Sequence, residues 1–351
     1  MADFRPISLC NVIYKIIAKA ITNRIRLVLD DVIASTQNEF ILGRFITNNA
    51  IIGYECIHAL KHRKNGKKKC FFRLKLDMLK VYDRVEWPYL EDMVIHMGFL
   101  ISFVELVMDC ITTVSVLING KPMGMIHPTR GIHQGDPISP YLFIICVEGL
   151  SQLISEANNR GTIGGFHCSK ESPTIMHLFF ANDSLLFARA SLKDCETLQN
   201  ILLTFGKASG QEVNFAKLAL CCSRKVSITI AKNLASFLGV QLVPRHERYL
   251  GIPCAISRSK SKTFSNIIDI IWNKLKGWKS RLFSVGGKEI LLKVMIQSIP
   301  LYTMNLFRLR AGLIEAIHKQ CNRFWWGDGD TKKIYTSVLG KPCVVSKRRD
   351  G

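Results

Sequence analysis

Side chains able to do chemistry together stand at three places in this 351-residue chain. Asp77 closes an alternating apolar segment, Asp183 sits in a short polar interruption between two apolar runs, and Gln134-Gly135-Asp136-Pro137 lies between them in sequence. Two carboxylates on facing strand ends suit a hard divalent cation, which takes oxygen ligands. Taken alone, two aspartates in a protein of this size are more often ordinary surface residues. Their weight depends on the elements that would present them.

From Cys70 to Asp77, the residues Cys70, Phe72, Leu74 and Leu76 alternate with Phe71, Arg73, Lys75 and Asp77. This predicts a strand with one buried face and Asp77 on its more polar side. Residues Met176 to Phe180 and Ser184 to Ala188 predict two strands joined through Ala181, Asn182 and Asp183, a tight reversal with a carboxylate at its tip. Asn119-Gly120, between the apolar runs of Val114 to Ile126, predicts a hairpin. Ser139-Pro140 reads as an N-cap and a first-position proline opening an apolar helix to about Ala157. Upstream, Ile13, Ile17, Ile21 and Ile25 predict an amphipathic helix between Asn11 and Ala34, with Lys15, Lys19, Thr22 and Arg26 on its other face. Residues Tyr89 to Ile111 read as helical, and the basic run from Lys61 to Lys69 as an exposed loop or hairpin tip. Beyond Arg245 long helical patterns rich in Lys, Arg and Trp follow, Lys262 to Phe283 and Lys288 to Phe307, and a domain boundary is expected near Arg258.

Lys and Arg number 48 against 27 Asp and Glu, a net charge of +21 that favours a polyanionic partner, nucleic acid first. An anionic membrane surface, or mere solubility, would also suit that charge. The 12 cysteines run from Cys10 to Cys343 without a CxxC, which suggests reduced thiols. His318, Cys321 and Cys343 lack a paired second half, so no zinc is assigned. No apolar run is long enough to span a bilayer and the opening residues are unlike a signal peptide. A soluble intracellular protein is expected, with nucleus or cytoplasm open.

Several segments resemble, in order and spacing, the motifs of reverse transcriptases from plant-type non-LTR (LINE) retrotransposons. They are RPISLCNVIYKIIAKAITNRI from Arg5, KLDMLKVYDRVEW from Lys75, RGIHQGDPISPYLFIICVEGL from Arg130, HLFFANDSLLFARA from His177, SGQEVNFAK from Ser209 and RHERYLGIP from Arg245. WNKLKGWKSRLFSVGGKEILLK from Trp272 and FWWGD from Phe324 are similar to segments that follow in the same proteins. One such motif is weak evidence, whereas eight in one order are specific.

The resemblance implies an α+β right-hand polymerase fold. Partial fingers would occupy residues 1–69, an antiparallel-sheet palm 70–257, a helical thumb-like region 258–310, and the start of a truncated C-terminal region 311–351. It implies an RNA-directed DNA polymerase that takes an RNA template, a DNA primer and dNTPs, with two Mg2+ ions ~4 Å apart in the site. Asp77 and an aspartate pair at the hairpin tip would hold the metals; here that pair reads Asn182-Asp183. Tyr82 matches the aromatic residue that packs against the sugar, and Gln134 the residue that contacts the nucleotide, with Gly135 allowing close backbone approach. Arg5 and Arg44 match fingers residues that could reach the triphosphate. Asp83 matches a structural residue, with Arg84 or Arg73 as its partner. Lys260, Lys262, Lys274, Lys276, Lys279 and Arg281 would contact the phosphates of the template-primer duplex, while Trp272 and Trp278 are expected in the core.

The chain departs from the family at Asn182, and also at Asn48, Leu79 and Glu212, where the family has an acidic, a small polar and a basic residue. An amide oxygen brings no negative charge, and losing ~4 kcal/mol of transition-state stabilisation slows a step about a thousandfold. The chain also opens almost at the RPISL motif, which suggests a truncated copy. Two other readings stand beside an impaired polymerase: a noncatalytic RNA- or DNA-binding remnant, and a group II intron maturase, which the segments after the palm disfavour.

Overall fold

The computed structural model describes residues 10–62, 70–112, 114–118, 121–126, 128–169, 171–180, 183–244, 248–254, 263–278 and 282–326. The chain forms two compact units, residues 1–254 and 255–351. In the first, helices α1 (Val12–Val32) and α2 (Ile46–His62) precede strands β1 (Phe71–Leu76) and β2 (Met78–Leu79). Helices α3 (Trp87–His96) and α4 (Ile101–Thr112), the hairpin β3 (Val114–Ile118) and β4 (Lys121–Ile126), and helix α5 (Ser139–Asn159) follow. Next come β5 (His177–Phe180), β6 (Asp183–Arg189), α6 (Leu192–Ser209), β7 (Glu212–Val213), β8 (Ala219–Cys222), α7 (Ile228–Leu238), β9 (Gln241–Leu242), β10 (Arg248–Tyr249) and β11 (Ile252–Pro253).

The main sheet runs β5-β6-β1-β8-β9, antiparallel except for the parallel edge pair β8 and β9. Alternation in β1 predicts one buried face, but Phe71, Phe72, Arg73, Leu74 and Leu76 are all buried. Phe72, Leu74 and Leu76 face the main core, and on the opposite face Phe71 packs edge-on against Phe166 at 5.3 Å, so both faces of the strand are covered. Only Lys75 and the residue beyond the strand, Asp77, keep partial exposure. The most buried helix is α5, with Leu142, Phe143, Ile144, Ile145 and Val147 all at 1% exposure or less, as its unbroken apolar run requires.

Several local expectations need correction. The helix expected across Tyr89 to Ile111 is two helices, broken at Gly98 (φ +86°), a left-handed position that glycine adopts without strain. Ser139 is the first helical residue of α5 and not its cap, which is Ile138; the Asp136 carboxylate accepts from the Ile138 N–H (3.2 Å) at that end. In α1, Thr22 belongs to the buried face with Ala18, Ile25 and Leu29, and its hydroxyl donates to the Ala18 carbonyl (2.7 Å). Ile13 and Ile17 are exposed. The hairpin strands pair up to Ile118 and Lys121, leaving a two-residue connection; Asn119-Gly120 itself lies outside the described residues.

The second unit contains α8 (Asn266–Gly277), α9 (Val285–Ile290), a wider π turn over Leu291–Ile296, α10 (Ser298–Leu306) and α11 (Ala311–Trp326). Its core joins Phe264, Ile267, Ile271, Leu275, Leu313 and Phe324. Trp278 packs edge-on against Phe324 at 5.9 Å, and half-buried Trp272 lies under the Arg323 guanidinium at 5.4 Å.

Candidate active site

Strand register decides how the carboxylates meet. The last pair of β1 and β6 is Leu76 with Ser184, so Asp77 and Asp183 come next to each other across the two strands. Both are partly exposed, at 35% and 43% of the side chain. Two like charges so placed repel, and the structure answers with cations. Lys75 Nζ lies 3.1 Å from Asp183 Oδ1, and Lys217 Nζ lies 3.9 Å from Asp77 Oδ2. Asn214 holds Asp77 at two atoms: its backbone N–H donates to the Asp77 carbonyl (2.8 Å) and its side-chain amide to Oδ2 (3.1 Å).

A third carboxyl, Glu39, faces this end of the sheet. Gln37 bridges to Phe179 of β5, the Phe179 N–H donates to the Thr36 carbonyl (3.0 Å), and the Asn49 amide donates to the Phe179 carbonyl (2.6 Å). These bonds pin the segment that carries Glu39 alongside the hairpin. Burial first, and then the charge of Asp183, push the Glu39 carboxyl up to about 7. Sequence reasoning missed Glu39, Asn214, Lys75 and Lys217 as members of this cluster. The strand alternation places Lys75 on the same face as Asp77, a usable signal, but no local pattern reveals the other three.

The second half of the site is a loop held against the segment after β2. The Ile132 N–H donates to the Tyr82 carbonyl (2.8 Å), the Gly131 N–H to the Val85 carbonyl (2.8 Å), and the Trp87 indole N–H to the Gly131 carbonyl (2.7 Å). A Cβ on Gly131 would press on the Asp83 carbonyl at 3.1 Å, at a φ of +97°. Two residues beyond the bond from Ile132 to Tyr82 comes the Gln134-Gly135 turn (Gly135 φ +96°). The Tyr82 ring packs on Phe143 at 5.5 Å, and burial, then Glu39, raise its phenol above the ordinary value. Beneath the turn, Asp136 has a fully buried carboxylate. The Tyr14 hydroxyl is shared between that carboxylate and the Cys110 carbonyl (2.8 Å), tying α1 and α4 to the loop. Burial, and then Asp136, push the Tyr14 phenol well up, so it remains a donor.

Other expected residues fall elsewhere. All five Arg44 N–H groups are taken: Nε donates to the Asp30 carboxylate, and the two terminal nitrogens to the carbonyls of Ala34, Gln37, Asp30 and Ile33. The guanidinium thus closes the C-terminal end of α1. Arg84 pairs with Glu212, so the acidic residue at 212 has found a basic partner. Lys274 and Lys276 are exposed in the last turn of α8. Arg5, Asn182, Lys260, Lys262, Lys279 and Arg281 lie outside the described residues. Among the described residues no three His, Cys, Asp or Glu side chains form a metal-holding group, and no helix is long and apolar enough to cross a membrane.

Residues 1–253 match the family model described as reverse transcriptase (RNA-dependent DNA polymerase). The chain belongs to the reverse transcriptase family. This reverse transcriptase domain is 24% identical over 329 residues to the transposon TX1 uncharacterized 149 kDa protein of Xenopus laevis, covering 92% of this chain and 24% of that protein. It is 26% identical over 305 residues to the retrovirus-related Pol polyprotein from type-1 retrotransposable element R2 of Popillia japonica, covering 84% of this chain and 47% of that protein. A 68-residue stretch, 19% of the chain, is 52% identical to an uncharacterized mitochondrial protein of Arabidopsis thaliana and covers 56% of it. The reverse transcriptase domain therefore spans between a quarter and just over half the length of these relatives. Two of these relatives are proteins of a transposon and of a retrotransposable element, and the domain that resembles them has an α+β fold built on the largely antiparallel sheet. Reverse transcriptases work with divalent metal ions.

Proposed function

We propose that this domain is the polymerase core of an RNA-directed DNA polymerase whose metal-holding end is weakened at residue 182. The observation that carries the reading is the β1 and β6 register, which sets Asp77 beside Asp183 at a partly exposed sheet end. The donor set fits a hard cation: two adjacent carboxylates, already offset by lysine ammonium groups standing where positive charge is wanted. Asp77 and Asp183 would hold Mg2+, which when bound would activate the primer 3′-hydroxyl and neutralise the leaving pyrophosphate. Lys75 and Lys217 must swing aside as the carboxylates take up the cation. Tyr82 would pack against the sugar of a dNTP, and the Gln134-Gly135 turn would offer backbone and amide contacts to the nucleotide. Residues 1–69 would serve as partial fingers, 70–257 as palm and 258–310 as a thumb-like region, whose Lys274 and Lys276, with Lys260, Lys262, Lys279 and Arg281, would meet the phosphates of an RNA template and DNA primer. The positive charge of the chain supports the same partners.

The second reading, a noncatalytic RNA- or DNA-binding remnant, is favoured by one feature: Asn182 adds no charge next to Asp183. The two separate on dNTP incorporation over poly(rA)/oligo(dT) with magnesium or manganese, using this chain and its Asn182→Asp variant. Extension by the variant alone locates the defect at the metal site. Extension by neither supports the remnant, and extension by both overturns the proposed impairment.

A further inference from the structure

Helix α2 turns Asn49, Ala50, Gly53, Cys56, Ile57 and Leu60 inward, at the spacings of three and four that give a helix one buried face. Three of these anchor it on different neighbours. The Asn49 amide donates to the Phe179 carbonyl (2.6 Å), Gly53 lies so near the Tyr249 ring that a Cβ would meet it at 2.6 Å, and the Cys56 sulfur lies 3.5 Å from the Cys168 sulfur. Cys168 stands in the connection from α5 to β5, where Phe166 and Ile175 exchange N–H to carbonyl bonds (3.0 and 2.7 Å) that fix the base of its loop. The two thiols differ in access: Cys56 is 0% exposed, whereas Cys168 is partly exposed. The Cys168 sulfur, and then burial, hold the Cys56 thiol far above its ordinary range, so it stays protonated. Cys221 and Cys222, adjacent in sequence, are placed differently: they alternate across β8, and the Cys221 thiol donates to the Pro244 carbonyl (3.5 Å).

We propose that Cys56 and Cys168 form a reversible disulfide, driven by a peroxide, that clamps α2 to the connection before β5. The exposed Cys168 sulfur attacks one peroxide oxygen; the O–O bond breaks, the sulfur is oxidised to a sulfenic acid, and the other oxygen is reduced and leaves as water. The Cys56 sulfur then displaces the hydroxyl from Cys168, the S–S bond forms, and the Cys56 proton departs with that hydroxyl as a second water. Sulfurs already in contact need to close by only about 1.5 Å to bond. A small thiol reverses the link by exchange. Neither step uses the carboxylates, so the inference is independent of the polymerase reading.

The probe is hydrogen peroxide on the full chain, after which remaining thiols are capped with N-ethylmaleimide in denaturant and the chain is digested with trypsin without reductant. Cleavage after Arg44, Lys61, Arg160 and Lys170 leaves each cysteine alone in its peptide, residues 45–61 and 161–170. The two are expected joined, at the sum of their masses less two hydrogens, and about tenfold more abundant than any other linked pair, because proximity decides which thiol resolves the sulfenic acid. Recovery of 45–61 capped by maleimide, or joined mainly to another peptide, overturns the pairing. Cys56→Ser should strand Cys168 as the sulfenic acid, captured by dimedone, and absence of capture there overturns the order of steps. The link joins positions 112 apart in sequence. It should therefore raise the melting temperature by about 5 °C, a gain that dithiothreitol removes. An unchanged or lower melting temperature with the link formed overturns the clamp.

Discussion

The two halves of the candidate site are held by different means. The Gln134-Gly135 turn rests on buried, directional bonds: Asp136 to Tyr14 and Ile138, Trp87 to Gly131, Ile132 to Tyr82. The Asp77 and Asp183 end is partly exposed and balanced by the ammonium groups of Lys75 and Lys217. Buried polar networks specify geometry and are costly to disturb, whereas surface ion pairs contribute little and exchange readily. A ligand cradle benefits from the first arrangement. A site that must accept a cation benefits from the second, because its placeholders leave at small cost.

The sharpest test changes charge at the loose end. Asn182→Asp is expected to raise dNTP incorporation by roughly a hundredfold to a thousandfold, since the missing carboxylate would supply about 3–4 kcal/mol. A rise below threefold, in a variant that still folds, would break the contrast. Next comes the frame under β5. His177 is buried with Nε2 shared between Thr36 (2.7 Å) and Ser151 (3.0 Å), and burial pulls its imidazole down to about 4. Both states are neutral there above the unfolded value near 6.5. As pH falls from 6.5 toward 4, only the unfolded chain takes the proton, and stability drops by on the order of 3 kcal/mol. Urea midpoints across that window should fall further for this chain than for His177→Gln, and parallel curves would refute it.

Smaller effects test the cradle. Asp136→Asn keeps the shape but weakens the acceptor that Tyr14 and Ile138 share, with an expected loss of about 2 kcal/mol in urea unfolding. Arg44→Ala should lose about 2 kcal/mol or less through the opened end of α1, and leave nucleotide affinity unchanged. A selective loss of dNTP affinity would instead return Arg44 to the triphosphate. Smallest of all, Lys274→Ala with Lys276→Ala should flatten the salt dependence of duplex binding by about 0.9 per contact removed. An unchanged slope would remove α8 from the interface.

What the sequence discloses follows from the range of the interactions. The reversal between β5 and β6, and the strand ending at Asp77, are written in alternation and turn residues a few positions apart. Gly98 marks its helix break in the same local way, although helical patterning continues on both sides of it. Burial on both faces of β1 could not be read locally, because the cover on its second face includes Phe166, which only tertiary contact brings against Phe71. Glu39, Asn214 and Lys217 share that difficulty: each reaches the site only through tertiary contact. Arg44 shows the converse, a motif position whose side chain is spent on local carbonyls.

The β1 and β6 pairing also bears on how such a domain ages. Side chains alternate with period two, so slipping the pair by one residue would move Arg73, Lys75 and Asp77 onto the face that Phe72, Leu74 and Leu76 give to the main core. The apolar residues around Leu74 and Leu186 forbid that slip whatever stands at the hairpin tip. Selection on catalysis and selection on folding therefore act on separate letters. A substitution at the tip can thus alter the chemistry while the paired strands beneath it stay as they are.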